Sequence, residues 1–243
     1  MPHADAARKR DPAMDDRPAW LADGAAHVWR PYCQMKTAAP PLAVARTEGA
    51  RLILEDGREL VDGIASWWTA CHGHNHPHIR AAVQAQLETA PHVMFGGLAH
   101  APAYRLATRL ARALPGDLDH VFFAESGSVS VEIAMKMAIQ YWINRGVRGR
   151  TRFVAFRGGY HGDTLATMTV CDPEEGMNSL FAAVMPAQHI AALPTDEASE
   201  AALGRLLSDR GGEIAAIIVE PRVQGAGGML FGGLEVLRRL RRL

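Results

Sequence analysis

The chain has 243 residues, of which 48% are hydrophobic, and it carries 26 basic against 26 acidic residues. Its size suffices for one large domain or one and a half ordinary ones, and the balanced charge provides no overall field that favours nucleic acid or a membrane surface. No apolar run reaches the roughly 20 residues that span a bilayer, and the N-terminus lacks the apolar core of a signal peptide. Three widely spaced cysteines are typical of free thiols in a reducing compartment, with Cys71 and Cys171 predicted to be buried. We therefore expect a cytoplasmic protein that binds neither nucleic acid nor membrane.

The first third of the chain predicts an irregular start and a small sheet. Residues 1–26 mix charges without an apolar pattern and are predicted to be a flexible lead-in. Residues 27–75 are predicted to be an N-terminal arm, aromatic and bent by proline over 28–35, followed by a small antiparallel segment. Its strands are expected at 43–47, 51–54 and 59–62, with the turn signal EDGR between the last two.

From residue 76 onward, helix and strand patterns alternate. Pro77 and Pro102 are well placed to open helices, and the first of these helices carries Ile79, Val83 and Leu87 on one face. Strands are predicted at 121–124, 152–156 and 214–220, and helices at 129–145, after RGGYHGDT and at 197–208. This alternation predicts an α/β fold with a mainly parallel sheet and right-handed crossovers.

The last ten residues, LEVLRRLRRL, predict an amphipathic helix. Leu237, Leu240 and Leu243 share one side, and arginines surround the rest. We expect this apolar stripe to have no following element to cover it, as in a domain cut short. A basic amphipathic membrane anchor is the alternative.

The most informative stretch is VFFAESGSVSVEIAMKMA, residues 121–138. An apolar run stops at Ser126-Gly127-Ser128 and continues directly into a helical pattern. The expected helix stripe consists of Ala134, Met137, Ala138 and Tyr141. The free N–H groups of the first turn, the positive end of the helix dipole and two serine hydroxyls suit a phosphate, which Gly127 would allow to come close. The alternative is that serine and glycine serve merely as helix caps.

Two further strand ends offer candidate ligand-binding groups. The loop GGYHGD follows the predicted strand 152–156, and its Tyr160 can lie flat on an aromatic ligand. His161 could donate a proton or cap the helix near Asp163, and a purely structural turn is equally open. Glu220 ends the predicted strand 214–220, where a carboxylate can bind a ligand or form a salt bridge.

An aromatic pair and a histidine tract precede these loops. Trp67 and Trp68 would point to opposite sides of an extended backbone, so one could line an apolar substrate channel, or both could pack at an interface. HGHNHPH places four histidines in alternation, but Gly73 and Pro77 interrupt the segment and weaken the case for a metal site. A helix-opening turn at His76-Pro77 is favoured, and no metal is expected.

Several motifs together resemble the class III pyridoxal-phosphate aminotransferases over about residues 27 to 243. They are SGSVSVEIAMKMA, GYHGDT, VDGIASWW followed by HGHNHPH, PHVMFGGLAHAP, and IIVEPRVQGAGGM. The Trp-Trp pair and the VMFGG segment narrow the resemblance to members that act in biotin biosynthesis. Those members move an amino group from S-adenosylmethionine to 8-amino-7-oxononanoate. The resemblance implies a fold-type I transferase that is a homodimer, with a small N-terminal segment and, over 76–243, an incomplete large domain with a mainly parallel sheet.

The same resemblance implies a site for pyridoxal 5′-phosphate and a substrate. The expected cofactor-binding residues are Gly127, Ser128, Tyr160 and Glu220, and the expected substrate-binding residues are Tyr32, Trp67, Trp68 and Tyr160. Gly127 and Ser128 would hold the cofactor phosphate, and Tyr160 would stack on the pyridine ring or meet the substrate. Trp67 would line the keto-acid site, and Tyr32 in the arm would help to recognise the substrate.

The family also uses residues that this sequence does not supply. The aspartate that pairs with the pyridine nitrogen and the lysine that forms a Schiff base with the cofactor would lie beyond Leu243. None of the lysines present, Lys9, Lys36 and Lys136, is placed for that chemistry. We therefore expect no catalytic residue in this chain and no activity of the chain alone. A non-catalytic truncated remnant and another class III aminotransferase are the alternatives.

Overall fold

The computed structural model describes residues 17–174, 181 and 183–243. The chain divides into two compact units, Met1–Arg109 and Leu110–Leu243. The boundaries predicted after residues 26 and 75 stay a prediction, and the first 16 residues of the expected lead-in lie outside the described residues. None of the helices in the described ranges is long and apolar enough to cross a membrane.

The first unit contains a three-stranded antiparallel sheet and short helices. Its elements are α1 (Ala19–Gly24), β1 (Val44–Glu48), β2 (Arg51–Leu54), β3 (Glu59–Val61), the single turn α2 (Ala65–Trp68) and α3 (Pro77–Leu87), after which α4 (Ala101–Ala113) leads into the second unit. The strands pair in the order β1-β2-β3. The three predicted strands are confirmed to within one residue at each end, whereas α1 was not predicted.

Helix α3 begins as predicted but does not bury its predicted face. Pro77 is its first residue and His76 its N-cap, because proline at this position forfeits no helical hydrogen bond and already has a helical φ. Ile79, Val83 and Leu87 are nevertheless 44%, 54% and 57% exposed. The apolar spacing therefore predicted the helix correctly, but not the burial of its stripe among the described residues.

The second unit is built on a parallel sheet with helices on both faces. Its elements are α5 (Gly127–Asn144), β4 (Arg152–Phe156), α6 (Leu165–Met168), β5 (His189–Ala191), α7 (Glu197–Arg210), β6 (Ile214–Ile217), β7 (Val223–Gln224), β8 (Leu230–Phe231) and α8 (Leu234–Arg242). The main sheet has the order β5-β4-β6, with both pairs parallel, and β7 and β8 form a small antiparallel pair. The predicted parallel α/β arrangement is confirmed, and β5 was not predicted.

The central strand β4 supplies the core of the second unit. Phe153 and Ala155 cluster with Met135 of α5, while Val154 and Phe156 cluster with side chains of α7 and α8 on the opposite face. Successive strand residues point to opposite faces, so a strand covered on both sides must be apolar almost throughout. This requirement explains the sequence RFVAF. The GGYHGD loop begins two residues after the end of β4.

The predicted strand at 121–124 is absent. This segment pairs with none of the strands in the described part of the chain, and Phe122 is 69% exposed. A strand is stable only when its backbone groups find partners, and an apolar run alone does not provide them.

The buried face of α5 also differs from the predicted stripe. Met135 is buried, and Val131, Ala138, Ile139 and Trp142 pack with it against the sheet, whereas Met137 and Tyr141 are more than half exposed. Because α5 is apolar around most of its circumference, the period of 3.6 residues does not by itself determine which side meets the sheet.

Helix α8 packs against an element that precedes it, and its apolar stripe is partly covered: Leu240 is partly buried, whereas Leu243 is 45% exposed. Leu240 packs against the second core cluster, and both Arg239 and Arg242 form ion pairs with Glu200 of α7. The apolar side of the tail therefore contacts the helix that precedes β6 in the chain. Of the two cysteines predicted to be buried, Cys171 is buried and Cys71 is exposed.

Candidate functional site

The N-terminus of α5 is capped by the side chain of Ser126. Ser126 Oγ accepts a hydrogen bond from the Val129 amide at 3.2 Å, and the Ser126 carbonyl accepts one from the Ser130 hydroxyl at 2.8 Å. No hydrogen bond within the described ranges uses the amides of Gly127 and Ser128, which lie at the positive end of the helix dipole. The helix-cap interpretation is confirmed for Ser126. Phosphate binding by Gly127 and Ser128 stays a prediction.

The GGYHGD loop, residues 158–163, contacts this N-terminus directly. The Asp163 amide donates to Ser128 Oγ at 2.9 Å, so Ser128 rather than His161 satisfies the backbone at Asp163. A Cβ atom at Gly162 would lie only 2.3 Å from Ser128 Oγ, and Gly162 has a φ of +133°, so this approach requires glycine. The structure thus brings the predicted phosphate turn and the predicted ring-binding loop together.

Glu220 joins this loop to the segment that follows β6. Its Oε1 accepts a hydrogen bond from the Tyr160 amide at 2.7 Å, and its Oε2 accepts one from the Gly225 amide at 2.8 Å. Strand β6 ends at Ile217, so Glu220 lies beyond the strand rather than at its last position, as the sequence had suggested. Its carboxylate serves the backbone of the loop, while direct contact with a cofactor stays a prediction. The Tyr160 side chain is 40% exposed.

The glycine-rich segment QGAGG, residues 224–228, fits closely against the same loop. A Cβ atom at Gly227 would lie 2.0 Å from the Gly158 carbonyl oxygen. Gln224 is buried, and its Nε2 donates to the Arg157 carbonyl at 2.6 Å. The sequence contained a signal for this contact, a glycine run after a buried strand, but no role was predicted for Gln224.

Two titratable residues meet at this loop, His161 within it and Cys171 beside it. The His161 amide donates to Cys171 Sγ at 3.1 Å. Burial lowers the pKa of His161, with the nearby charge of Glu220 opposing this effect, so the imidazole is predominantly neutral near pH 7. Burial raises the pKa of Cys171, which keeps this residue a thiol that packs as a small apolar group.

In the first unit, Tyr32 and Trp67 contact each other. Their ring centroids are 5.6 Å apart with an angle of 74° between planes, an edge-to-face pair. Trp67 and Trp68 are 56% and 57% exposed. The predicted extended backbone is wrong here, because Ala65 through Trp68 all have φ between 46° and 66° and form one left-handed turn.

The left-handed turn is tied to β3 and to the histidine tract through Asp62. Asp62 Oδ2 accepts hydrogen bonds from Ser66 Oγ at 2.7 Å and from His74 Nε2 at 2.8 Å. These contacts, the His74 bond first, lower the pKa of Asp62 to about 2. A conformation of this kind costs about 1–2 kcal/mol per residue outside glycine. The carboxylate therefore opposes a considerable strain.

The histidine tract and the lysines were the remaining candidates for chemistry. Within 17–174, 181 and 183–243, no group of three or more His, Cys, Asp or Glu side chains could hold a metal ion. His76 and Pro77 open α3 as predicted. Lys36 and Lys136 are exposed, and Lys9 lies outside the described residues.

Comparison with known sequences identifies related proteins. The family model for aminotransferase class-III matches residues 32–243. An adenosylmethionine-8-amino-7-oxononanoate aminotransferase from Mycobacterium leprae is 47% identical over 216 residues, which cover 85% of this chain and 50% of that protein. The protein of the same name from Corynebacterium glutamicum is 45% identical, with 87% and 51% covered. The chain therefore spans about half the length of these curated relatives.

Comparison with solved structures gives the same picture. An adenosylmethionine-8-amino-7-oxononanoate aminotransferase from Methanocaldococcus jannaschii superposes with a TM-score of 0.84 at 30% identity, covering 91% of this chain and 52% of that one. An amine transaminase from an uncultivated Pseudomonas species, solved in a PLP-bound form, gives 0.76 at 33% identity, with 88% and 52% covered.

Proposed function

This chain belongs to the class-III aminotransferase family, and from that membership we propose that it provides part of a pyridoxal 5′-phosphate site in an aminotransferase of biotin biosynthesis. The reaction would transfer an amino group from S-adenosylmethionine to 8-amino-7-oxononanoate and give 7,8-diaminononanoate. Two relatives that carry this activity in their names are 47% and 45% identical to the chain. Because the chain spans half their length, the activity, both substrates, a homodimeric assembly and a cytoplasmic location are all proposals.

The observation that carries the proposal is the contact between the start of α5 and the GGYHGD loop. The amides of Gly127 and Ser128 suit an anion, and a Cβ atom at Gly127 would meet nothing within 4 Å, so a phosphate has room to approach. Tyr160 lies in the loop that Ser128 contacts through Asp163. A phosphate and an aromatic ring on one ligand fit this arrangement.

The cofactor, when bound, supplies the electron sink that transamination requires. The residues of this chain would bind and orient it. Gly127 and Ser128 would hold its phosphate, and the Tyr160 ring would lie against its pyridine face, with Glu220 fixing the backbone from which Tyr160 projects. His161, largely neutral near pH 7, would add no charge beside the ring.

Substrate binding is assigned to the aromatic residues of the first unit. Tyr32, Trp67 and Trp68 expose large ring surfaces, which suit the aliphatic chain of 8-amino-7-oxononanoate. We propose that these 243 residues do not turn over substrate alone, because the described lysines, Lys36 and Lys136, are exposed and belong neither to the GGYHGD loop nor to the turn at Gly127 and Ser128. An assay with cofactor and both substrates tests this, and measurable turnover would contradict it.

Two alternatives can be tested beside this function. One is a non-catalytic remnant, and the other, a class III aminotransferase with a different amine donor, is favoured by the 33% identity to an amine transaminase. Joining the chain to the second half of a relative and screening donors separates the three. Turnover with S-adenosylmethionine supports the first function, turnover with another amine only supports the last, and no turnover of a folded hybrid supports the remnant.

The phosphate assignment is tested by a substitution that removes one amide and little else. Gly127 is the first residue of α5 after the cap, a position where proline is well tolerated, and Ser126 has the extended dihedral angles that a following proline requires. Gly127→Pro should weaken binding of pyridoxine 5′-phosphate about tenfold, the loss of one hydrogen bond to a charged group. Titration followed by ³¹P NMR measures this affinity.

The matched control for that experiment is Gly127→Ala, which retains the amide and adds a methyl group in open space. Pyridoxine 5′-phosphate is used because it has the phosphate and the ring but no aldehyde to react with Lys36 or Lys136. Equal affinity of the proline variant and the alanine variant would contradict the phosphate assignment. Pyridoxine without phosphate should bind neither variant more weakly than the other.

A further inference from the structure

We propose that Asp62 is a positioning residue that holds the left-handed turn α2, and through it Trp67 and Trp68, in one orientation. Any effect of Asp62 on substrate binding rests on the proposed function, in which the two indoles bind the keto acid. The positioning itself rests on contacts within the first unit. No role was predicted from the sequence for Asp62 or for Ser66.

Asp62 is anchored to the sheet by its own backbone. Its amide donates to the Ala50 carbonyl at 2.9 Å, and its carbonyl accepts from the Ala65 amide at 3.2 Å. The side chain is only 5% exposed, although it follows the short edge strand β3. A carboxylate in such a place needs hydrogen-bond donors, and Ser66 and His74 provide them.

His74 is anchored independently of Asp62. Its amide donates to the Gly49 carbonyl at 2.7 Å and its carbonyl accepts from the Gly49 amide at 3.1 Å, so an isolated antiparallel bridge joins it to the sheet. Its ring is 16% exposed. Asp62 Oδ2 therefore receives one hydrogen bond from a residue fixed to the sheet and one from Ser66, inside the strained turn.

Among the described residues of this unit, side-chain packing does little to fix the orientation of the indoles. Trp67 and Trp68 are both more than half exposed, so core packing does not hold them, and Trp67 contacts a Tyr32 ring that is itself 60% exposed. Their direction follows from the backbone dihedral angles of α2. Those angles lie in a region that non-glycine residues rarely occupy. Backbone hydrogen bonds such as that from the Trp68 amide to the Ile64 carbonyl at 3.1 Å contribute to holding them, and the Ser66–Asp62 hydrogen bond is the side-chain contact that opposes their relaxation.

The test labels the five tryptophans with 5-fluorotryptophan and records ¹⁹F NMR spectra, with resonances assigned by single Trp→Phe variants. Asp62→Asn keeps the shape of the side chain and removes its charge. We expect the Trp67 and Trp68 resonances to shift or split by more than a linewidth, while the Trp142 resonance in the second unit stays in place. That unchanged resonance also reports that the second unit is folded.

The matched control is Asp56→Asn in the β2–β3 turn. The Asp56 carboxylate also accepts hydrogen bonds, among them one from the Arg58 amide at 3.0 Å, and these bonds lower its pKa. Its partner is Arg58 rather than a residue of α2. This variant should leave all five resonances in place. If it moves the Trp67 and Trp68 signals as much as Asp62→Asn does, the change reports general loosening and the proposal is overturned.

Ser66→Ala provides a second variant should Asp62→Asn fail to fold. It removes only the hydroxyl that reaches Asp62 and leaves the Asp62–His74 pair intact, so the Trp67 and Trp68 resonances should again respond. Asp62→Glu retains the charge in a longer side chain, and its Trp67 and Trp68 resonances should lie between those of the wild type and those of Asp62→Asn. Unchanged Trp67 and Trp68 resonances in Ser66→Ala would overturn the proposal. Since no ligand is present, a failure of the proposed amino transfer leaves this result unaffected. Adding 8-amino-7-oxononanoate to the labelled wild-type chain tests that function separately.

Discussion

The GGYHGD loop and the α2 turn reach unusual backbone conformations in opposite ways. The loop approaches Ser128 and the QGAGG segment closely, but glycine occupies each tight position, as at Gly162 and Gly227. The α2 turn has four consecutive residues with positive φ, none of them glycine. The loop is therefore built without strain, whereas the turn is strained and depends on a side chain.

This difference teaches where each region is vulnerable. The loop is fixed by backbone contacts and by Glu220, so added volume should damage it. The turn is fixed by Asp62, so loss of one carboxylate should release it. Strained backbone persists only where the surrounding structure holds it, and around α2 the side-chain part of that structure is the cluster of Asp62, Ser66 and His74.

The largest effect is expected from added volume under the loop. In Gly227→Ala the new methyl group would lie 2.0 Å from the Gly158 carbonyl oxygen, which is backbone and cannot rotate away. We expect a loss of about 3 kcal/mol in the free energy of unfolding, measured by urea denaturation. Gly212→Ala, where nothing lies within 4 Å, should change it by less than about 0.5 kcal/mol. Equal losses would show that the contact is not tight.

The next effect concerns the carboxylate that joins the loop to the QGAGG segment. Glu220→Ala leaves the amides of Tyr160 and Gly225 without their acceptor, and we expect a loss of about 2 kcal/mol in the free energy of unfolding. Glu220→Gln keeps one oxygen and should recover about half of that loss. If glutamine is no better than alanine, the two hydrogen bonds do not hold the loop.

Much of the fold follows from short-range patterns. The turn signal EDGR predicted the β2–β3 hairpin, the spacing after Pro77 predicted α3, and the apolar run RFVAF predicted the strand β4. The family and the α/β fold class predicted from the motifs are confirmed by the family match and by the superpositions. Each of these signals lies within one element or recurs across a whole family.

The parts of the site that escaped prediction depend on long-range contacts. Glu220 meets an amide 60 residues away and Gln224 a carbonyl 67 residues away, and no local spacing encodes either pairing. The backbone at Trp67 and Trp68 was predicted to be extended, and the turn found there contains no glycine, the residue that normally marks positive φ. Its cause lies in Asp62 and His74, outside the segment itself.

Acid should weaken the two regions in a definite order. Burial lowers the pKa of His161, so its contribution to stability is present above the ordinary value of 6.5 and is lost as the pH falls below it. The pKa of Asp62 is lowered from 3.8 to about 2, so its contribution is lost only as the pH falls from 3.8 towards 2.

The free energy of unfolding as a function of pH measures this order. His161→Gln should flatten the decline that begins as the pH falls below 6.5, and Asp62→Asn should flatten the decline that begins below 3.8. Curves for both variants that parallel the wild type would refute the assignment of these two groups to acid sensitivity.

The smallest effect has the opposite sign and reports the strain directly. Ala65 opens the α2 turn with a φ of 47°, a conformation that costs alanine but not glycine. Ala65→Gly should therefore raise the free energy of unfolding by about 0.5 kcal/mol, the relief of strain minus the added freedom of the unfolded chain. Ala70→Gly lies five residues later, outside the positive-φ residues, and should lower that free energy by about 0.5–1 kcal/mol. Urea denaturation of both variants compares the signs. A loss in both would mean that α2 is not strained, and the contrast between a glycine-built loop and a carboxylate-held turn would fail with it.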